Sequence, residues 1–234
     1  MKLFDTLLGK TKPVQANLEA LFSLPSAAIT LQATAGLVPT GKAGVCFMPP
    51  AGQSFEEMQH DLEQLLAMDD TEATGSGAGA AGGAGAAGGA GAAGGAGAAG
   101  GGATSLAVQH QADSYGYRWI VLGGTGIDDL VTRVHMVHSS LSDAGWGPQL
   151  LCSVVGFGPA RDGSESAVNQ PLYLVYLAKR GTFYPFAPTG REQRDSELEL
   201  RIKSYLGNDL PLESDLERWF PLWDMPIAEG PSRR

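Results

Sequence analysis

Cysteine is scarce in this chain: only Cys46 and Cys152 carry a thiol among 234 residues. Both lie in apolar, strand-like runs, Val45-Cys46-Phe47 and Leu150-Leu151-Cys152-Ser153-Val154-Val155, and no Cys-x-x-Cys pair exists. That excludes zinc-ribbon chemistry. It reads as two buried, reduced thiols, since free cysteine behaves as a small hydrophobe; a disulfide or a catalytic thiol is the alternative. Long apolar runs are missing as well. None approaches the ~20 residues of a membrane-spanning helix, and the N-terminus lacks the apolar core and small-residue cleavage site of a signal peptide. Positive charge is in deficit, with 16 Lys and Arg against 25 Asp and Glu and a formal net charge of −9. General nucleic-acid binding needs phosphate-neutralising cations and is excluded on that ground. These absences predict a cytoplasmic protein with an ordinary apolar content of 43%.

The most organised stretch is Pro171 to Pro188, PLYLVYLAKRGTFYPFAP. Leu172 to Leu177 is apolar in both alternation phases, which predicts a strand covered on both faces. Gly181 then permits a turn with positive φ, and Thr182 to Phe186 resumes as a strand closed by Pro185 and Pro188. Upstream, Ala27–Ala33 and Gly41–Met48 read as two strands joined by a turn at Leu37–Gly41, a hairpin. Pro25 is read as the stop of a helix carrying Val14, Leu18, Leu21 and Phe22. Ser54 and Glu57 form a capping-box pattern ahead of a helix with Phe55, Met58, Leu62, Leu65 and Leu66 on one side.

Gly77 to Gly100 repeats the hexapeptide GAGAAG four times. With no side chain larger than methyl it builds no core and reads as a flexible, expanded surface loop. Beyond it, Ser105–Gln111 and Tyr117–Leu122 read as strands about a turn at Asp113–Gly116. Ile127, Leu130, Val131, Val134, Val137 and Leu141 recur at helical spacing, Gln149–Phe157 is a strand, and Glu192–Leu206 is a helix. Ser214–Trp219 is a short helical turn, with Trp219, Phe220 and Trp223 packing back onto the domain. The order predicts an α+β fold: an antiparallel sheet built from ββα units, helices packed on one face and a Gly/Ala-rich loop inserted. Residues 1–74 form an N-terminal part of helices, hairpin and helix. Residues 75–104 form the linker, 105–225 a C-terminal α+β part and 226–234 a tail, within one composite domain.

Several features invite a chemical reading. Gly123-Gly124-Thr125-Gly126 precedes a helix but lacks the phosphate-loop spacing and its Lys-Ser/Thr; Asp128 and Asp129 in the first helical turn would repel an anion. It reads as a structural turn. His135 and His138 share a helix face, yet no third ligand falls at an obvious spacing. They read as surface or partly buried histidines, with a metal or catalytic site around His135, His138 and Cys152 as the alternative. Lys179, Arg180, Phe183, Tyr184 and Phe186 form a basic pair beside an aromatic cluster, a candidate partner-binding patch; a solvated basic turn beside core aromatics is the plainer alternative. Tyr115, Tyr117 and Trp119 form a second candidate patch. At the N-terminus, Phe4, Leu7 and Leu8 share a helical face, with Lys2, Lys10 and Lys12 placed to meet anionic lipid. Either a docked helix or a membrane-surface contact follows. No catalytic residue, metal ligand set or cofactor motif is defensible from these residues.

Taken together, LFDTLLGKTKP, NLEALFSLPSAAITLQATAG, DSYGYRW, VHSSLSDAGWGPQLLCSVVGF, YLVYLAKRGTFYPFAP and LPLESDLERWFPLW resemble the PspA-associated PspAB family. The resemblance covers nearly the whole chain except the Gly/Ala insert. It implies a place in the phage-shock, envelope-stress system, in company with PspA, a coiled-coil membrane-remodelling protein. A non-enzymatic adaptor that binds PspA or a neighbouring Psp component is the expectation it carries. The alternative is a peripheral sensor at the inner membrane face.

Overall fold

The computed structural model describes residues 18–48, 60, 63–64, 108–160, 168–190 and 192–228. Its centre is a six-stranded sheet in the order β2-β3-β1-β4-β5-β6, antiparallel throughout. The strands are β1 (Leu37–Phe47), β2 (Gln109–Ala112), β3 (Arg118–Gly123), β4 (Leu150–Pro159), β5 (Leu172–Leu177) and β6 (Thr182–Phe186). A small ladder pairs β7 (Pro188–Gly190) with β8 (Gln193–Arg194). The α-helices whose full range lies among the described residues are α1 (Leu24–Ala35), α2 (Ile127–Asp143) and α3 (Ser196–Leu206), with short 3-10 turns at Leu18–Ser23, Gly147–Gln149 and Leu216–Arg218. The protein is α+β, with the sheet as its spine. β1, which precedes the Gly/Ala run, lies between β3 and β4, which follow it.

Period-two alternation sorts the sheet into two faces. Val45, Phe47, Ile120, Leu122, Val155, Phe157, Leu174, Tyr176 and Phe183 face the helices and bury Leu31, Leu130, Val134, Val137, Leu198 and Ile202. On the opposite face Cys46, Trp119, Cys152, Val154, Tyr173, Val175, Tyr184 and Phe186 pack against Trp219, Met225 and Ile227. The helices thus cover one side, and the irregular segment Trp219–Ala228 straps the other. Both faces of β5 are buried, as its unbroken apolar run predicts.

Two stretches fold differently from their sequence expectation: the helix expected from Glu192 begins only at Ser196, capped by Asp195, because Gln193–Arg194 pairs as β8, and the region about Pro25 is rearranged. Ala27–Ala33 is the body of α1, not a strand, so the expected hairpin with Gly41–Met48 does not form. Leu18, Leu21 and Phe22 lie in a 3-10 helix, Leu18–Ser23, that ends just before Pro25, and Pro25 sits in the first turn of the next helix, where its missing N–H has no intrahelical partner to lose. Gly36 closes it with φ +68, its N–H bonded to Gln32 O at 3.1 Å. The supposed turn at Leu37–Gly41 is the start of β1. A register shift between Pro39 and Ala43 accommodates the proline, and Gly41 there adopts φ +77. Gly181 has φ +68 in the β5–β6 turn, as expected of it. Pro185 lies on the edge strand β6, where a missing donor leaves the interior ladder intact. Most of the helix expected from Ser54 onward lies outside the described residues.

Candidate functional site

The strapped face holds the site. Its floor is one cross-strand row in which Trp119 pairs with Cys46, Cys46 with Cys152, and Cys152 with Leu177. Four strands, β3, β1, β4 and β5, contribute one residue each. The wall is the β2–β3 turn. Asp113 shapes it by accepting hydrogen bonds from the N–H groups of Tyr115 and Tyr117 at 2.9 Å and from Trp119 Nε1 at 3.0 Å. The roof is the strap, joined to the turn by a hydrogen bond from Ser114 Oγ to Asp224 Oδ2.

Aromatic packing holds the strap down. Trp219 stacks on Tyr184 with centroids 5.8 Å apart, and Trp223 meets Phe186 edge-on at 5.3 Å. The Tyr184 hydroxyl donates to Phe220 O at 2.7 Å, Trp219 Nε1 to Glu213 O at 3.2 Å, and Arg194 Nη1 to Trp219 O at 2.7 Å. Gly44 makes room: a Cβ there would stand 3.2 Å from the Trp119 ring and 3.3 Å from Ile227.

Between floor, wall and roof lies a cavity of about 470 Å³. Tyr115, Tyr117, Trp119, Phe220, Leu222 and Trp223 ring it, and Cys46 and Cys152 lie at its base. A second cavity of about 360 Å³ adjoins it, lined by Lys179, Arg180 and Arg218 and sharing Leu151, Leu177 and Phe220 with the first. The two patches singled out in the sequence therefore sit on either side of a common apolar wall.

Their members differ in role. Tyr115 is 63% exposed and Tyr117 half-buried, whereas Trp119 is buried in the floor. Phe183, Tyr184 and Phe186 are buried, so they are core residues and not surface anchors for a partner. Strand alternation sends Phe183 toward the helices and Tyr184 and Phe186 under the strap. Arg180 is committed to Glu213, a carboxylate with almost no exposure. Burial pushes the Glu213 carboxyl up, but hydrogen bonds from Arg180, the Asp215 N–H and Thr182 outweigh it and hold the group below its usual value. Lys179 is exposed in the turn and Arg218 pairs with Asp215 at 2.9 Å. Phe220 and Trp223 were legible only as packing residues and Leu222 was not singled out; the signal that they line a cavity is Phe220-Pro221-Leu222-Trp223, an aromatic run that proline keeps from becoming a strand or helix.

His138 and Cys152 do not meet. His138 Nε2 lies 2.6 Å from Ser153 Oγ, both fully buried on the helix face. Cys152, one residue earlier on β4, faces the strap. His135 packs its ring on Phe22, with centroids 5.2 Å apart. The sheet thus separates the members of the supposed His135–His138–Cys152 site. Among the described residues no group of three or more His, Cys, Asp or Glu side chains is placed to hold a metal ion, and no helix is long and apolar enough to cross a membrane. The proposed lipid contacts Lys2, Phe4, Leu7, Leu8, Lys10 and Lys12 lie outside the described residues.

The family model for PspA associated protein B matches residues 1–79 and 98–227. The chain belongs to the PspAB family. The internal part that PspAB leaves unmatched, 80–97, falls inside the Gly/Ala run, and 228–234 lies beyond the match, whereas every described strand, α1 to α3 and the strap up to Ile227 lie within it. Membership ties the chain to the phage-shock system through PspA. No curated protein and no solved structure matches the chain.

Proposed function

We propose that this PspAB protein is a non-enzymatic adaptor that binds a PspA-type coiled coil through its strapped face, acting in the cytoplasm. The supporting observation is the open, aromatic-ringed cavity with a basic shoulder. A coiled-coil helix presents apolar and acidic side chains one turn apart. An apolar side chain entering between Tyr115, Phe220 and Trp223 gains burial against rigid rings, which are frequent interface anchors. An acidic neighbour then faces Lys179 and Arg218.

The test is a calorimetric titration of the full-length protein with PspA from the same organism. Tyr115→Ala combined with Phe220→Ala removes two exposed rings without touching the core. That pair should weaken binding by about ten-fold or more. Lys179→Glu should weaken it less, and more so at low salt. Arg180 is kept, because its loss would strand the buried Glu213 and confound folding with binding. Unchanged affinity in folded variants would remove the cavity from the interface. Absence of binding by the parent at high micromolar concentration would overturn the adaptor reading itself.

A further inference from the structure

We propose that Cys46 and Cys152 are a redox-active pair, which peroxide converts to a cross-strand disulfide across the cavity floor. The two residues are direct partners in the β1–β4 ladder. Directly opposed residues in antiparallel strands have Cα atoms ~4.5 or ~5.5 Å apart, depending on the hydrogen-bonding register. Both separations fall inside the ~4.4–6.8 Å span of disulfides. Both side chains point to the same face, since both join the cluster under the strap. Both are free thiols.

Access comes from the cavity. Both residues are nearly buried in the fold, at 3% and 6% exposure, yet both line the opening. A peroxide is small enough to reach them there, whereas a bulky thiol reagent meets the Tyr115, Phe220 and Trp223 rim. The neighbouring Cys152 thiol, followed by burial and nearby negative charge, raises the Cys46 thiol above its ordinary value. Cys152 is the more open of the two and attacks first.

In the first step the Cys152 thiolate attacks one oxygen of hydrogen peroxide. The O–O bond breaks, Cys152 becomes a sulfenic acid, and the departing hydroxide takes up a proton as water. In the second step the Cys46 sulfur attacks the sulfenic sulfur, the S–O bond breaks, and a second water leaves as the S–S bond forms. The two thiols lose two protons and two electrons, which the peroxide takes up as it is reduced to two waters.

The experiment treats the reduced, folded full-length protein with hydrogen peroxide, then denatures it in N-ethylmaleimide and weighs it intact. Expected are loss of both alkylation sites, a mass lower by two hydrogens, a digest peptide joining Cys46 to Cys152, and recovery of both sites with dithiothreitol. In Cys46→Ala, Cys152 should stop at the sulfenic acid and be trapped by dimedone, and the parent should show little of that adduct. The pair is refuted by two alkylated thiols after peroxide, by oxygen gained on one sulfur without a link, or by linkage no faster than in urea-unfolded protein. If Cys46→Ala fails to fold, the mass and peptide measurements on the parent still decide.

Discussion

At the scale of single residues the buried polar groups carry the sharpest consequences. His138 is fully buried, its Nε2 against Ser153 Oγ. Burial, and then the charge of His135, push its pKa from the ordinary 6.5 down to about 4. The unfolded chain therefore takes up this proton before the folded one does. The resulting stability is fully present above the unfolded value and is lost as pH falls from there through the folded value. Between pH 7 and pH 4.5 the loss from this residue amounts to roughly 2 kcal/mol. Urea unfolding at the two pH values should show it, and His138→Asn should flatten the slope by that amount in the same buffers. An unchanged slope would mean that His138 is not the group responsible. Nothing in the spacing of His135 and His138 reveals this environment. Which helix residue meets β4 depends on how α2 lies across the sheet, and Ser153 is distant in sequence.

At the scale of elements the strap is the least regular part and the one that defines the site. Trp219 is nearly buried, stacked on Tyr184 and hydrogen-bonded to Glu213 O, with Lys203 Nζ 5.5 Å above its ring. Trp219→Ala should cost about 3–5 kcal/mol of unfolding free energy, measured by chemical denaturation, with the far-ultraviolet dichroism of sheet and helices retained. Loss below about 1 kcal/mol would mean the strap is not held by this residue. The packing of Trp219 and Trp223 was readable from their aromatic character, and the strand pair β5–β6 from its apolar run about Gly181. α1 was not readable as a helix. Ile29 and Thr30 within Ala27–Ala33 mimic a short strand, and Pro25 has the same local meaning at the end of one helix and the start of the next. The choice falls to helix because Leu24, Ala27, Ala28, Leu31 and Ala35 can all be buried on one helical stripe over β1.

At the scale of the whole molecule the Gly/Ala run joins β1 to the strands that flank it in the sheet. Closing a flexible loop costs free energy that grows only with the logarithm of its length. Gly77–Gly100 is only part of the connection, so replacing it by half its length should shift unfolding free energy by less than about 0.6 kcal/mol and leave partner affinity as it was. A large loss of stability in urea titration would show that the run does more than connect.

The amino-acid order by itself determined the class of molecule: strand and helix periods, a Gly/Ala stretch unable to build a core, and a net charge of −9 that disfavours nucleic acid. It also carried the family. Only the tertiary structure decided which residues meet. A strand presents alternate residues to opposite faces, so Phe183 and Tyr184 part company, as do Cys152 and Ser153. Register across four strands, not spacing along the chain, sets Trp119, Cys46, Cys152 and Leu177 side by side beneath the strap. These pairings are long-range choices made by the burial of two sheet faces at once, which no local pattern encodes.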